Sequence, residues 1–174
     1  MAGTTPVPST RIVSSCCAGA IRSLRGPCDL LVLFSASSSG VGVIIRDEYG
    51  SVITALCKAL PSHFTAEWTE YLALEQGVLL AQELNLSHVI FESDASLVIL
   101  AVSQGNFGGP MGHFVQSIRS ARSFLSYCLF QHVKRNYNRA IHVLAQAAKC
   151  NHFTHLWKGV IPPSLVDFFQ SGLS

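Results

Sequence analysis

Val89, Ile90 and Phe91 form an apolar run that stops abruptly at Glu92-Ser93-Asp94, and helical periodicity begins at once with Ala95. A run this short, apolar on both faces, fits a strand at the centre of a parallel sheet. Such a strand needs helices on both sides, because neither face can meet water. It also poses a question of charge. A carboxylate at the tip of a buried strand either caps the next helix or holds a positive group.

The flanking segments fit that frame. Leu30–Phe34, Val41–Ile45 and Ser51–Leu60 are three closely spaced β-type runs. Asp47-Glu48-Tyr49-Gly50 is a turn signal ending in a Gly suited to positive φ, so the three runs predict an antiparallel meander. Thr65–Leu84 has helical period, with Thr65 as N-cap and Asn85 past the last turn. One stripe of this helix carries Glu70, Ala73, Gly77 and Leu80 or Ala81, and its small residues allow close approach to a sheet. Glu70 stands at the upper end of the stripe. A lone buried carboxylate there costs on the order of several kcal/mol unless it finds a cation or a proton. Ala95–Ser103 and Gly112–Phe124 read as helices around a loop at Asn106–Pro110. Tyr127–Val133 reads as a strand and Asn138–Lys149 as a helix. A short apolar helix is expected over Leu165–Gln170, after Pro162-Pro163. The order β-β-β-α-β-α-α-β-α predicts an α/β fold: a mixed five-stranded sheet with helices on both faces.

With 174 residues, 49% hydrophobic and 13% charged, the chain suits one domain with a real core and is not a disordered chain. No apolar run approaches the roughly 20 residues of a membrane-spanning helix. The six cysteines include no C-x-x-C pair, which argues against a zinc site or disulfide framework and for a reducing, intracellular compartment. Residues 1–28 carry Ser, Thr, Pro and three arginines but no acid or lysine. That composition suits an organellar transit peptide, a disordered leader or the stub of a larger polyprotein. The domain is therefore placed at residues 29–174.

The net charge of +2 hides a split. Nine of the ten acids lie in residues 29–94, whereas Ala95–Val166 contains no acid and seven Lys or Arg residues, with five of the seven histidines. A segregated basic half suits a polyanion such as a phosphate backbone, or is simply a solvated face.

Four motifs fall in order: Gly40-Val-Gly-Val-Ile-Ile-Arg-Asp47; Ala66-Glu-Trp-Thr-Glu70 through Ala81; Glu92-Ser-Asp94; and His132-Val-Lys-Arg135-Asn-Tyr-Asn138-Arg-Ala-Ile-His142. Together they resemble the type 1 ribonuclease H family, most closely its plant, retroelement-derived, reverse-transcriptase-like branch. The resemblance covers Leu30 to the C-terminus and implies an RNase H-like fold. It also implies metal-dependent hydrolysis of the RNA strand of RNA–DNA hybrids with magnesium, or manganese, as cofactor. On that resemblance Glu70 and Asp94 are the metal-holding carboxylates, and His132 matches a mobile-loop histidine. His142 stands where many relatives carry Asp, and Lys134, Arg135, Asn138 and Arg139 line the nucleic-acid side. A monomer is expected.

The sequence departs from that pattern at Ser35, which stands where the family's first aspartate belongs. A hydroxyl cannot supply a carboxylate's charge, so hydrolysis is expected to be weakened, and Ser35→Asp to raise it by orders of magnitude if the site is otherwise preserved. His142 departs less severely, since imidazole suits manganese or zinc better than magnesium. Each residue keeps a plainer alternative: Asp94 a helix cap, His142 a packed helix histidine, His132 a strand-end histidine, and the basic residues a solvated face. The alternative function is an inactive nucleic-acid-binding domain or a retroelement remnant.

Overall fold

The computed structural model describes residues 30–37, 40–105 and 108–166. Expectations for residues 1–28, for the middle of the Asn106–Pro110 loop and for the helix beyond residue 166 lie outside the described residues.

The first three strands form the expected meander. Strand β1 (Leu30–Ser37) pairs antiparallel with β2 (Gly40–Asp47), and β2 with β3 (Val52–Ala59). Between β2 and β3, Asp47 Oδ1 accepts from the N–H groups of Tyr49 (3.0 Å) and Ser51 (2.8 Å), and Gly50 adopts φ 84°. Helix α1 (Ala66–Glu83) begins where Thr65 Oγ1 accepts from the Trp68 N–H at 3.3 Å. The chain continues through β4 (His88–Ser93), α2 (Ser96–Gln104), α3 (Gly112–Ala121), β5 (Tyr127–His132) and α4 (Arg139–Asn151). Strand β4 pairs parallel with both β1 and β5, which makes it an interior strand as its two-sided apolar run predicts.

The sheet has six strands, not five. The order is β5-β4-β1-β2-β3-β6, where β6 (His155–Lys158) pairs antiparallel with β3. Four residues, His-Leu-Trp-Lys, are too short to show a strand period. Edge position accounts for that brevity and for the terminal Lys, both of which blunt an exposed edge. Thr54 Oγ1 anchors the strand by donating to the Trp157 carbonyl at 2.7 Å. At the C-terminal side a short 3-10 turn, Pro163–Leu165, buries Leu165 against α4.

Two cores sandwich the sheet. On one face Val32, Val43, Ile45, Val89 and Phe91 pack under α1 through Ala73, Leu74, Val78 and Ala81, with α2 and α3 alongside. On the other, Ile44, Ala55 and Cys57 meet Ala140, Ile141, Leu144 and Ala148 of α4. Small residues set both approaches. A Cβ on Gly77 would lie 3.2 Å from Val32 Cγ1, and one on Gly42 would lie 2.6 Å from the Ile141 carbonyl oxygen. Among the described residues no helix is long and apolar enough to cross a membrane.

Candidate active site

The C-terminal ends of β1, β4 and β5 meet the start of α4, and the candidate residues gather there. Glu70 lies in the second turn of α1, on the side facing the sheet. Its Oε2 is buried with no hydrogen-bond partner. Burial above all, and then the charge of Asp94, push its carboxyl up to about 8; the Ala36 backbone N–H and Arg135 offset part of that rise.

Asp94 follows directly on β4. Asn138 Nδ2 donates to its Oδ1 at 2.6 Å, and His142 Nε2 lies 3.1 Å from its Oδ2. An ionised carboxylate only accepts, so His142 Nε2 carries the proton in this contact. Burial alone would raise the pKa of Asp94, but the hydrogen bonds from His142 and Asn138 outweigh it and hold the group at about 2. The capping alternative fails. The α2 N-cap is Ala95, with no side-chain cap bond, and its N–H is met by Ser93 Oγ at 3.1 Å. Asp94 instead spends both oxygens on residues 44 and 48 positions later in the chain.

The other candidates fall around this pair. Ser35 pairs with Gly42 on β2 and lies two residues beyond Leu33, which is abreast of Glu92. The β1–β4 pairing ends at Leu33 and Glu92, two residues before Ser35 and Asp94 respectively. His132 is the last residue of β5, in register with Ser93, and its side chain is exposed. The structure therefore places it at a strand end rather than in a loop. Lys134 and Arg135 are exposed on the turn that leads into α4, and Arg139 is exposed at the first position of the helix. Asn138, expected on the nucleic-acid side, is fully buried against Asp94.

Sequence reasoning missed two features. Glu92 is buried in the sheet interior and held at about 7, raised by burial and drawn back by Arg46. The second is a cleft along α4 formed with Ala36 and Arg135, whose helical residues recur at spacings of three and four from His142 to Cys150.

A profile of the reverse transcriptase-like family matches residues 29–148, most of the described chain. The chain belongs to the reverse transcriptase-like family. No curated protein matches it. The domain is similar to RNase H1 from Halobacterium salinarum, at 16% identity and a TM-score of 0.65, covering 71% of this chain and 98% of that one. It is similar to the N-terminal RNase H domain of a Mycobacterium tuberculosis protein at 19% identity and a TM-score of 0.62, covering 70% and 95%. A foamy viral protease-reverse transcriptase in complex with RNA/DNA hybrid gives 14% identity and a TM-score of 0.52, covering 86% and 21%. At these identities the likeness is one of fold, and that fold is RNase H-like.

The donor set of this reverse transcriptase-like domain does not fit a pair of magnesium ions. Magnesium takes hard oxygen ligands in near-octahedral geometry. Asp94 has both oxygens hydrogen-bonded, and the adjoining groups are an amide, an imidazole and, in β1, the residue Ser35. Among the described residues no three His, Cys, Asp or Glu side chains converge to hold a metal ion. Glu70 Oε2 is buried without a hydrogen-bond partner.

Glu70 has a measurable consequence for stability. Its folded value of about 8 lies above the ordinary 4.5, so the folded protein binds more protons than the unfolded chain between those limits. Its contribution is therefore most favourable below pH 4.5 and is lost as pH rises through 8. Glu70→Gln removes the cost of burying the charge. Thermal melts should show stabilisation of about 2–4 kcal/mol at about pH 9 and under about 0.5 kcal/mol at about pH 5.

Proposed function

We propose that this chain is a nucleic-acid-binding domain of RNase H type that engages RNA–DNA hybrids and has weakened or lost hydrolytic activity. One observation carries the reading. Asp94, at the sheet position where relatives of this type do their chemistry, is bound at both oxygens by Asn138 and His142. The site is thereby satisfied from within the chain. In β1 the residue that the resemblance sets at the first-aspartate position is Ser35, which brings no charge.

The electrostatics support retained binding. Lys134, Arg135 and Arg139 are exposed within the acid-free span Ala95–Val166. Cations on such a face contact phosphates, position a duplex without reading its sequence, and release counterions. A fold of this kind recognises a hybrid through groove shape and 2′-hydroxyls.

The test is fluorescence anisotropy with a labelled RNA–DNA hybrid across a salt series. Affinity should fall linearly with log salt. Arg135→Gln should weaken binding about three- to tenfold and reduce the salt slope by about one. Absence of saturable binding at low salt would refute the reading.

A further inference from the structure

Helix α4 presents two stripes. Ala140, Ile141, Leu144 and Ala148 are buried against the sheet. Beside them His142, Val143, Gln146, Ala147 and Cys150 recur at spacings of three and four and, with Arg135, line an open cleft of about 630 Å3. That volume lies within the roughly 300–1,000 Å3 typical of small-molecule sites. Ala36 of β1 forms part of its wall, and the backbone N–H of the same residue acts on the Glu70 carboxyl. The cleft therefore opens directly beside the Glu70–Asp94 pair.

Arg135 gives the lining a cation, and no acid lines the cleft. Val143 and Ala147 give an apolar wall, and Gln146 contributes an amide that can both donate and accept. Gln146 Nε2 makes only a 3.4 Å contact to Cys150 Sγ, so it is easily redirected. A cation, an apolar wall and an amide are the groups that a phosphate, a ring face and a base edge require.

We propose that this cleft takes one unpaired nucleotide of the bound nucleic acid, with its phosphate at Arg135 and its base against Val143 and Ala147. The inference rests on the nucleic-acid-binding reading above. It makes a junction between duplex and single strand the preferred ligand, because a base inside a duplex cannot enter.

The test compares a blunt RNA–DNA hybrid with hybrids carrying a 5′ or 3′ single-stranded overhang, using the full chain and anisotropy. One overhang polarity should bind about tenfold tighter than the blunt hybrid. Ala147→Trp, which fills the cleft, should remove that difference. A second measurement needs no variant: alkylation of Cys150 by N-ethylmaleimide, located by mass spectrometry, should slow in the presence of the overhang hybrid but not the blunt one. That readout decides the matter if Ala147→Trp fails to fold. Equal affinity for all three hybrids, with Cys150 reacting at the same rate throughout, would overturn the inference and leave the binding reading intact. Failure of every hybrid to bind would overturn the binding reading, and this inference with it.

Discussion

Replacing Ser35 and His142 together by aspartate is expected to raise hydrolysis of the RNA strand of a hybrid, in magnesium, by at least about 100-fold over the unaltered protein. Neither substitution alone should do as much. Ser35→Asp restores the carboxylate that the family pattern carries in β1, yet Asp94 keeps its bond to His142 at 3.1 Å and to Asn138 at 2.6 Å. His142→Asp frees Oδ2 and adds a second acid but leaves β1 neutral. The two changes act on one cluster, so their effects should exceed the sum of the singles. The assay is gel resolution of an end-labelled RNA strand, with Asp94→Ala added to the double variant as the control that should abolish the gain. If the double variant cleaves no faster than the unaltered protein, the missing charges are not what limits the site.

The second large effect lies in the packing that holds the site together. Gly42→Ala is expected to destabilise the domain by about 3 kcal/mol or more, lowering Tm by roughly 6–12 °C. A Cβ there would lie 2.6 Å from the Ile141 carbonyl oxygen and 3.0 Å from the Ala145 amide nitrogen. Both are backbone atoms of a helix, so no rotamer change relieves the clash, and α4 must move away from β2. Asn138 and His142 travel with α4. The variant should therefore also weaken the contacts to Asp94 and reduce hybrid affinity. Gly50→Ala is the contrast. Gly50 has φ 84° but open space around it, so its cost is backbone strain alone, about 1 kcal/mol.

Where local pattern decided the structure, the sequence was readable. The meander followed from three short, closely spaced apolar runs and the Asp47–Gly50 turn, and the depth of α1 against the sheet from Ala73, Gly77 and Ala81. The interior place of β4 followed from three apolar residues on two faces. Strand β6 was not readable, because four residues at an edge carry no period and gain their pairing only from β3. The candidate site divides in the same way. Glu70 and Asp94 could be singled out as carboxylates in places that need compensation. What compensates Asp94 is set by the docking of α4 on the sheet, a contact 44 to 48 residues away that no local spacing encodes. The capping alternative failed for that reason: donors distant in the sequence held Asp94, and the Ala95 N–H was met by Ser93 Oγ. The α4 cleft depends equally on a strand and a helix meeting, and only its three-and-four spacing was present in the sequence.

The most direct test uses the unaltered chain and one labelled RNA–DNA hybrid, with binding and cleavage read from the same samples in magnesium, in manganese and in chelator. The account predicts salt-sensitive binding in all three and little or no cleavage in any. Rapid metal-dependent cleavage, abolished by Glu70→Ala and by Asp94→Ala, would contradict it and establish a working ribonuclease.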